Sequence, residues 1–395
     1  MRLAWLAAFP PWPADFGGAI RVFHLLRQAA RQHEVALFAL GDPQASVPPE
    51  LSAVCRGGVA FHPADHGKRS AQIRSLLEGS CSFRRQYASR RLAEALAGQR
   101  ERFAAVVVDA TQMSWIPTPP GLPRILTLHN IEHELMARSA ATSGDALRRW
   151  FRARDAGLLR TAEIAALRGA AQVWTCSERE SALARGLAPG VEVVTVPNGV
   201  DPLALAPGPA DPAVPEVIFL ATMHYDPNAD GACWFVREVW PRLRAAHPGL
   251  RLGLVGGRPP ARVRALAGDG VTLHPMVPSV LPYYRSARLS VVPLRSGSGT
   301  RIKILEAAAV GTPQVSTSLG AEGLAVRDGE HLLIADGAEA FADACLRVLA
   351  DPAVAAVRAA RARTLVQEVY AWDAVGGSLL AALERVAGRR DGDGR

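Results

Sequence analysis

Residues 294–324 read LRSGSGTRIKILEAAAVGTPQVSTSLGAEGL. An apolar strand pattern, LSVVPL, ends at Leu294 and runs into a Gly/Ser turn. The turn opens directly into a short helical stretch that stops at Gly311 and Pro313, and a second strand pattern, residues 313–317, follows. A glycine-rich turn at a helix start offers outward N–H groups and the positive end of the helix dipole to an anion. At roughly 100° per residue, Gly299, Lys303 and Glu306 share one side of the helix, beside the apolar stripe Ile302, Leu305 and Ala309. A cation and a carboxylate next to a phosphate-ready turn suit a nucleotide. Its phosphates would sit on the amides of Gly297, Ser298, Gly299 and Thr300 and on Lys303, and its ribose hydroxyls on Glu306.

Lys303 stands out by composition. Only Lys68 and Lys303 are lysines among 45 basic residues. In so arginine-rich a chain, a lysine marks a place suited to a compact point charge rather than a planar fork. The competing reading is an ordinary surface ion pair between Lys303 and Glu306 at i, i+3, worth a few tenths of a kcal/mol.

Working outward, short apolar runs alternate with helical patterns. The expected strands are residues 3–9, 34–40, 59–63, 104–109, 124–129, 172–176 and 192–196, then 216–223, 251–255, 271–275, 289–294 and 313–317. Apolar strands alternating with helices indicate an α/β protein built from parallel, doubly wound sheets. The stretch PNGVDPLALAPGPADPAVPE, residues 197–216, is rich in Pro, Gly and Ala and reads as a linker. The expected organisation is two Rossmann-like domains facing a central cleft. Residues 1–197 form the first, 198–215 the linker and 216–365 the second. Residues 366–386 form a helix returning to the first domain, and 387–395 a tail.

With 395 residues, 49% hydrophobic, the chain can bury two cores. Five scattered cysteines without metal-ligand spacing argue for a reducing compartment and no disulfide framework. No run approaches the ~20 apolar residues of a membrane span, and Pro10-Pro11 interrupts the short apolar N-terminus. A cytoplasmic protein is expected. The net charge of +8 raises nucleic acid as a partner, but no nucleic-acid-binding motif accompanies it.

Five segments together resemble glycosyltransferase family four, of GT-B architecture, over nearly the whole length. They are FPPWPADFGGAIRVFHLL (9–26), TLHNIEHE (127–134), VPNGVD (196–201), FLATMHYDPNADGACWFVREVWP (219–241) and the opening segment. In detail the chain is most similar to bacterial enzymes of exopolysaccharide and cell-surface glycan synthesis. The resemblance implies retaining, metal-independent transfer of a sugar from a nucleotide-diphosphate donor to a glycan or lipid-linked acceptor, with no cofactor. It places the nucleotide in the C-terminal domain and most of the acceptor side in the N-terminal one.

Residue by residue, Glu306 matches the second glutamate of the family's Glu–seven residues–Glu motif, which grips the ribose. The first would fall at Ser298 and is absent. His129 matches the active-site histidine near the sugar, and Gly17 and Gly18 match the N-terminal glycine loop near the donor phosphate. The family's Arg and Lys after the first strand of the second domain are missing from ATMHYDPN, residues 221–228. Lys303 and Arg301 are the cations left to hold a diphosphate.

Other signals carry two readings each. Gly17-Gly18 would serve a plain tight turn equally. Arg21 would face the cleft or solvent. His224 and Asn228 lie at a cleft-facing strand end, or Asp226-Pro227-Asn228 is simply a turn. His129 and His133 are four apart but lack a third ligand, so no metal site is expected; a structural role is the alternative for His129. Glu132 and Glu134 would be acidic partners or the charged start of a helix. Asp391-Gly392-Asp393 sits in the charged tail and carries no metal role. Arginines flanking Trp150-Phe151 in residues 146–168 would meet an anionic inner membrane surface, or form a solvated face. Two rival functions share the fold: a nucleotide-sugar epimerase, which needs no acceptor, and a catalytically degenerate glycan-assembly partner.

Overall fold

Aliphatic and β-branched runs form the strands of two parallel sheets. The structure, a computed structural model, describes residues 1–141, 145–275, 277–297, 299 and 301–392, the last four by backbone only. The first sheet holds β1 (Arg2–Ala7), β2 (Glu34–Leu40), β3 (Gly58–His62), β4 (Ala105–Asp109), β5 (Arg124–Thr127), β6 (Gln172–Thr175) and β7 (Val193–Thr195). Their order is β3-β2-β1-β4-β5-β6-β7, and every pairing is parallel. The second sheet holds β8 (Val217–Leu220), β9 (Leu252–Val255), β10 (Val271–His274), β11 (Leu289–Val292), β12 (Gln314–Ser316) and β13 (Leu333–Ile334). Its order is β10-β9-β8-β11-β12-β13, again wholly parallel.

Helices cover parallel sheets on both faces, so the strands read as unbroken apolar runs. β4 and β9 are buried along their whole length. The expected two doubly wound parallel sheets are therefore present. Most expected strands stop one to three residues early, where the chain leaves the ladder and becomes loop. β13, only two residues long, has no periodicity to read.

Chain contacts separate two units: Met1–Pro197 with Val375–Arg395, and Asn198–Ala374. Residues 198–215, linker-like by composition, group with the second unit. So do residues 366–374: Val200 N donates to Tyr370 O and Trp372 N to Val200 O. From Val375 the helix Trp372–Gly392 belongs to the first unit. Arg385 Nε donates to Glu192 Oε1 at 2.7 Å, and a Cβ on Gly376 would collide with the Gln28 side chain. This helix runs through residues 387–392, which their charge and glycine content read as tail. Each unit has its own core, one around Leu6, Phe38, Phe103 and Val108, the other around Phe219, Phe235, Trp240 and Phe341. All five cysteines are buried and free.

Strand order reverses between β1 and β4 in one sheet and between β8 and β11 in the other. Loops leaving the carboxyl ends of strands at such a switch point diverge to opposite faces and open a crevice for ligands. At the second switch, the helix Asp226–Trp234 lies directly on the end of β11. A Cβ on Gly231 would stand 2.6 Å from the Pro293 carbonyl oxygen. Gly231→Ala is therefore expected to lower stability by about 1–3 kcal/mol, read as a shifted urea midpoint. An unchanged midpoint would mean that the helix is not pinned there.

Candidate active site

The second switch point brings together two loops. One follows β8 and enters the helix Asp226–Trp234; the other follows β11 and enters the helix Ile302–Val310. Gly297, at φ +100°, and Gly299, at φ +83°, hold left-handed conformations that other residues resist. A Cβ on Gly297 would meet Pro227 and Arg301 Nη2, each at 3.3 Å, so the turn packs against the neighbouring loop. Ser298 and Thr300 lie outside the described residues. At the start of the helix Ile302–Val310 the N-cap residue Arg301 makes no side-chain cap bond, and among the described residues no side chain caps the first-turn N–H groups. It ends at Gly311 in the left-handed conformation, with Gly311 N and Thr312 N both donating to Ala307 O.

Lys303 and Glu306 do not pair with each other as a surface i, i+3 ion pair would. Lys303 Nζ donates to Asn228 Oδ1 at 3.1 Å and stands 4.8 Å from the centroid of the buried Phe219 ring. Asn228 Nδ2 in turn donates to Thr222 O at 2.9 Å. Glu306 Oε2 accepts from the Tyr284 hydroxyl at 3.0 Å. Lys303 and Glu306 are half-buried by exposed surface, yet protein atoms crowd their charged ends, and the crowding sets the direction of both shifts. Burial pushes the Lys303 ammonium down to about 7, with Arg301 adding to the push and Glu306 opposing it. Burial raises the Glu306 carboxyl, while Tyr284 and Lys303 lower it. A cation held below its ordinary range at a helix start is set up to gain from a bound anion.

Of the other residues singled out in this unit, Arg301 is buried at the turn and His224 is exposed. Asn228 is thus joined to Lys303 and His224 is not. The family-type Arg and Lys are absent from residues 221–228, and Asn228 there orients the lysine from the other loop. Tyr284 and Phe219 carry no sequence signal for the site; they are found only through contact.

In the first unit, Asp109 ends β4, fully buried, and His129 follows β5. His129 Nε2 and Asp109 Oδ1 are 2.8 Å apart. Asp109 Oδ2 is buried without a hydrogen-bond partner among the described residues. An unmatched carboxylate oxygen of this kind costs roughly 1–3 kcal/mol or more, so this pair is held at a stability cost. The carboxylate fixes the ring and leaves Nδ1 for another partner. Asp109 is a site residue missed in the sequence, though a carboxylate closing an apolar strand was its signal.

His133 has a different partner. Its Nδ1 lies 2.6 Å from Glu163 Oε2, and Glu163 also accepts from Thr111 Oγ1 and the Glu132 and His133 amides. The two histidines thus face separate carboxylates. Among the described residues, no group of three His, Cys, Asp or Glu side chains comes together as a metal cage.

Gly17 and Gly18 are the first two residues of the helix Gly17–Ala29. Neither has positive φ, so neither serves a left-handed turn. Gly18 instead leaves room beneath Phe16 and Phe9, whose rings a Cβ would approach to 3.0 and 3.1 Å. Arg21 does not face solvent. It is buried, where its charge lowers both the Glu180 carboxyl and the Cys176 thiol against the effect of burial.

Comparison with known proteins adds to this geometry. The sequence model of the family described as Glycosyl transferases group 1 matches residues 214–351, the stretch that holds Asn228, Lys303 and Glu306. Sucrose-phosphate synthase from Thermosynechococcus elongatus superposes with a TM-score of 0.76 at 22% identity, covering 98% of this chain and all of that one. The chain has a GT-B fold, and its second half is similar to the group 1 glycosyl transferases.

The Anabaena protein HepE, solved in complex with UDP, shares this GT-B fold with a TM-score of 0.69 at 11% identity, over 98% of this chain and all of its own. By sequence, the GT-B chain is 29% identical over 210 residues to a phosphatidyl-myo-inositol mannosyltransferase from Mycolicibacterium smegmatis, covering 50% of this chain and 53% of the relative. It is 38% identical over 150 residues to a D-inositol 3-phosphate glycosyltransferase from Acidothermus cellulolyticus, covering 33% and 32%. The chain spans about half or less of the length of these two relatives.

Glu132, next to Asn130 and His129 in the GT-B chain, gives a pH test. Burial lifts its carboxyl to about 7, with Gln112, His129 and Asn130 opposing and Glu163 adding to the rise. The folded protein therefore keeps a proton that the unfolded chain sheds near 4.5. That contribution to stability is complete below pH 4.5 and is lost as pH rises through about 7. Glu132→Gln is expected to gain in melting temperature over wild type as pH goes from 5 to 8. A constant difference across that range would show an ordinary carboxylate.

Proposed function

We propose that the chain is a retaining, metal-independent glycosyltransferase. It moves a sugar from a nucleotide-diphosphate donor to a glycan or lipid-linked acceptor in cell-surface or exopolysaccharide synthesis. The observation that carries the donor side is Lys303, held by Asn228 at the start of a helix that follows a glycine turn at a topological switch point. The UDP in the structure of HepE and the phosphatidyl-inositol acceptor in the name of the mycobacterial relative support the donor class and a lipid-linked acceptor. A lipid acceptor would place the reaction at the cytoplasmic face of the inner membrane.

In this reading the diphosphate lies on the amides of the 297–301 turn and on Lys303, and Glu306, oriented by Tyr284, takes the ribose hydroxyls. His129, oriented by Asp109, is assigned to hydroxyls of the transferred sugar. The bond from the anomeric carbon to the diphosphate oxygen breaks, and charge grows on that oxygen. Preorganised amides and a protonated Lys303 stabilise it. The acceptor oxygen attacks on the same face, and its proton passes to the departing diphosphate, which preserves the anomeric configuration. The phosphates are neutralised by the protein alone.

A thermal-shift screen with UDP, GDP, ADP and TDP tests the reading, followed by turnover with the preferred sugar nucleotide. One nucleotide is expected to raise the melting temperature with or without EDTA, and Glu306→Ala to abolish the rise. Asp109→Asn is expected to lower turnover about tenfold or more while keeping the nucleotide shift. No shift with any nucleotide would point to the degenerate partner. Conversion of the donor without an acceptor would point to an epimerase.

A further inference from the structure

The helix Lys68–Leu77 is inverted. Its buried residues are the small Ala71 and Ser75, while its large apolar side chains face out: Ile73 is 61% exposed, Leu77 84%, and Leu76 is exposed as well. An amphipathic helix on a water-facing surface does the opposite. Beside it, the first turns of the helix Ala146–Arg168 expose Leu147, at 73%, and Trp150, at 56%. The two helices border a groove of about 730 Å³. Ile73, Leu76, Leu147 and Trp150 supply its apolar lining; Lys68, Arg69, Arg148 and Arg152 supply charge, and no lining residue is acidic.

The arrangement is braced from inside. Arg154 Nη2 donates to Ser75 O at 3.1 Å and Nη1 to Ser80 O at 3.3 Å. Ser82 Oγ donates to the buried Asp155 Oδ2 at 2.5 Å. The bond to Ser75 ties the small-residue side of the Lys68–Leu77 helix inward, and the bonds to Ser80 and Ser82 fix the chain that follows it, so the apolar side faces outward. Arg148 pairs with Asp145, and Arg152 donates to Ser139 O. Lys68 and Arg69 have no ion-pair partner among the described residues.

We propose that this surface docks the protein on an anionic phospholipid bilayer. Ile73, Leu76, Leu77, Leu147 and Trp150 would enter the acyl boundary, and Lys68, Arg69, Arg148 and Arg152 would meet the lipid phosphates. An apolar patch rimmed by one sign of charge matches an interfacial leaflet on both counts. No helix among the described residues is long and apolar enough to cross a membrane, so attachment here is peripheral. The surface belongs wholly to the first unit and Lys303 and Glu306 to the second, so it stands independently of the donor-site reading.

The test is flotation of the full chain with vesicles of phosphatidylcholine alone and of phosphatidylcholine mixed with phosphatidylglycerol. Binding to the anionic vesicles only, released by salt, is the expected result. Lys68→Gln with Arg69→Gln is expected to weaken it roughly 25-fold, at about five-fold per charge. Leu77→Asp, at a position too exposed to disturb folding, is expected to abolish it while the melting temperature and nucleotide shift stay unchanged. Wild-type protein that fails to float would overturn the proposal, as would Leu77→Asp protein floating like wild type. A dimer seen by light scattering and split by Leu77→Asp would overturn it too, because a second copy would then cover the patch.

Discussion

The hydrogen bond from Lys303 to Asn228 joins the two loops that diverge where the second sheet reverses its strand order. Everything around it serves to make that bond. β8 and β11 pair in parallel and send their chains to the same edge. Gly231 lets one helix sit on the end of β11, and Gly297 lets the turn fold against Pro227. Phe219, from the interior of β8, provides the ring under the ammonium. The lysine is held with one neutral acceptor, an aromatic face and a carboxyl that itself bonds to Tyr284. It therefore pays a burial penalty that an anion in the turn would relieve.

The first sheet repeats the logic with the opposite charge. Asp109 lies at the end of β4, beside the reversal next to β1, and is buried with one oxygen that has no partner among the described residues. His129 closes on the other oxygen from the end of the neighbouring β5. A buried carboxylate holding an imidazole and a half-buried cation held by an amide both put charge among crowded protein atoms. Such arrangements lower stability, and they stand at strand ends where a doubly wound sheet opens to ligands.

What could be read in advance follows from how far each signal reaches along the chain. The strands Ala105–Asp109 and Leu252–Val255 are buried along their whole length, and the apolar runs within residues 104–109 and 251–255 say so locally. The stop at Gly311 is equally local, since a left-handed C-cap calls for glycine. Lys303 and Glu306 were legible because one helical face carries both beside a glycine turn. Tyr284 and Asp109 were not, because their roles depend on partners 22 and 20 residues away in the chain. Arg21 looked like a surface or cleft residue, and only its burial, with its charge acting on Glu180 and Cys176, reveals it as internal. The inverted Lys68–Leu77 helix shows the same limit: its apolar spacing announces a helix face, but the bracing by Arg154 decides which way that face points.

The central claim is that Lys303 is a suppressed cation awaiting an anion. Calorimetry of UDP binding at about pH 8, in buffers of different ionisation enthalpy, tests it most directly. With its pKa near 7 the free lysine is mostly neutral there, and a diphosphate would restore its ordinary range. The account predicts uptake of a proton, up to about one per UDP, that disappears in Lys303→Met. Binding with no proton uptake, or the same uptake in the variant, would contradict it.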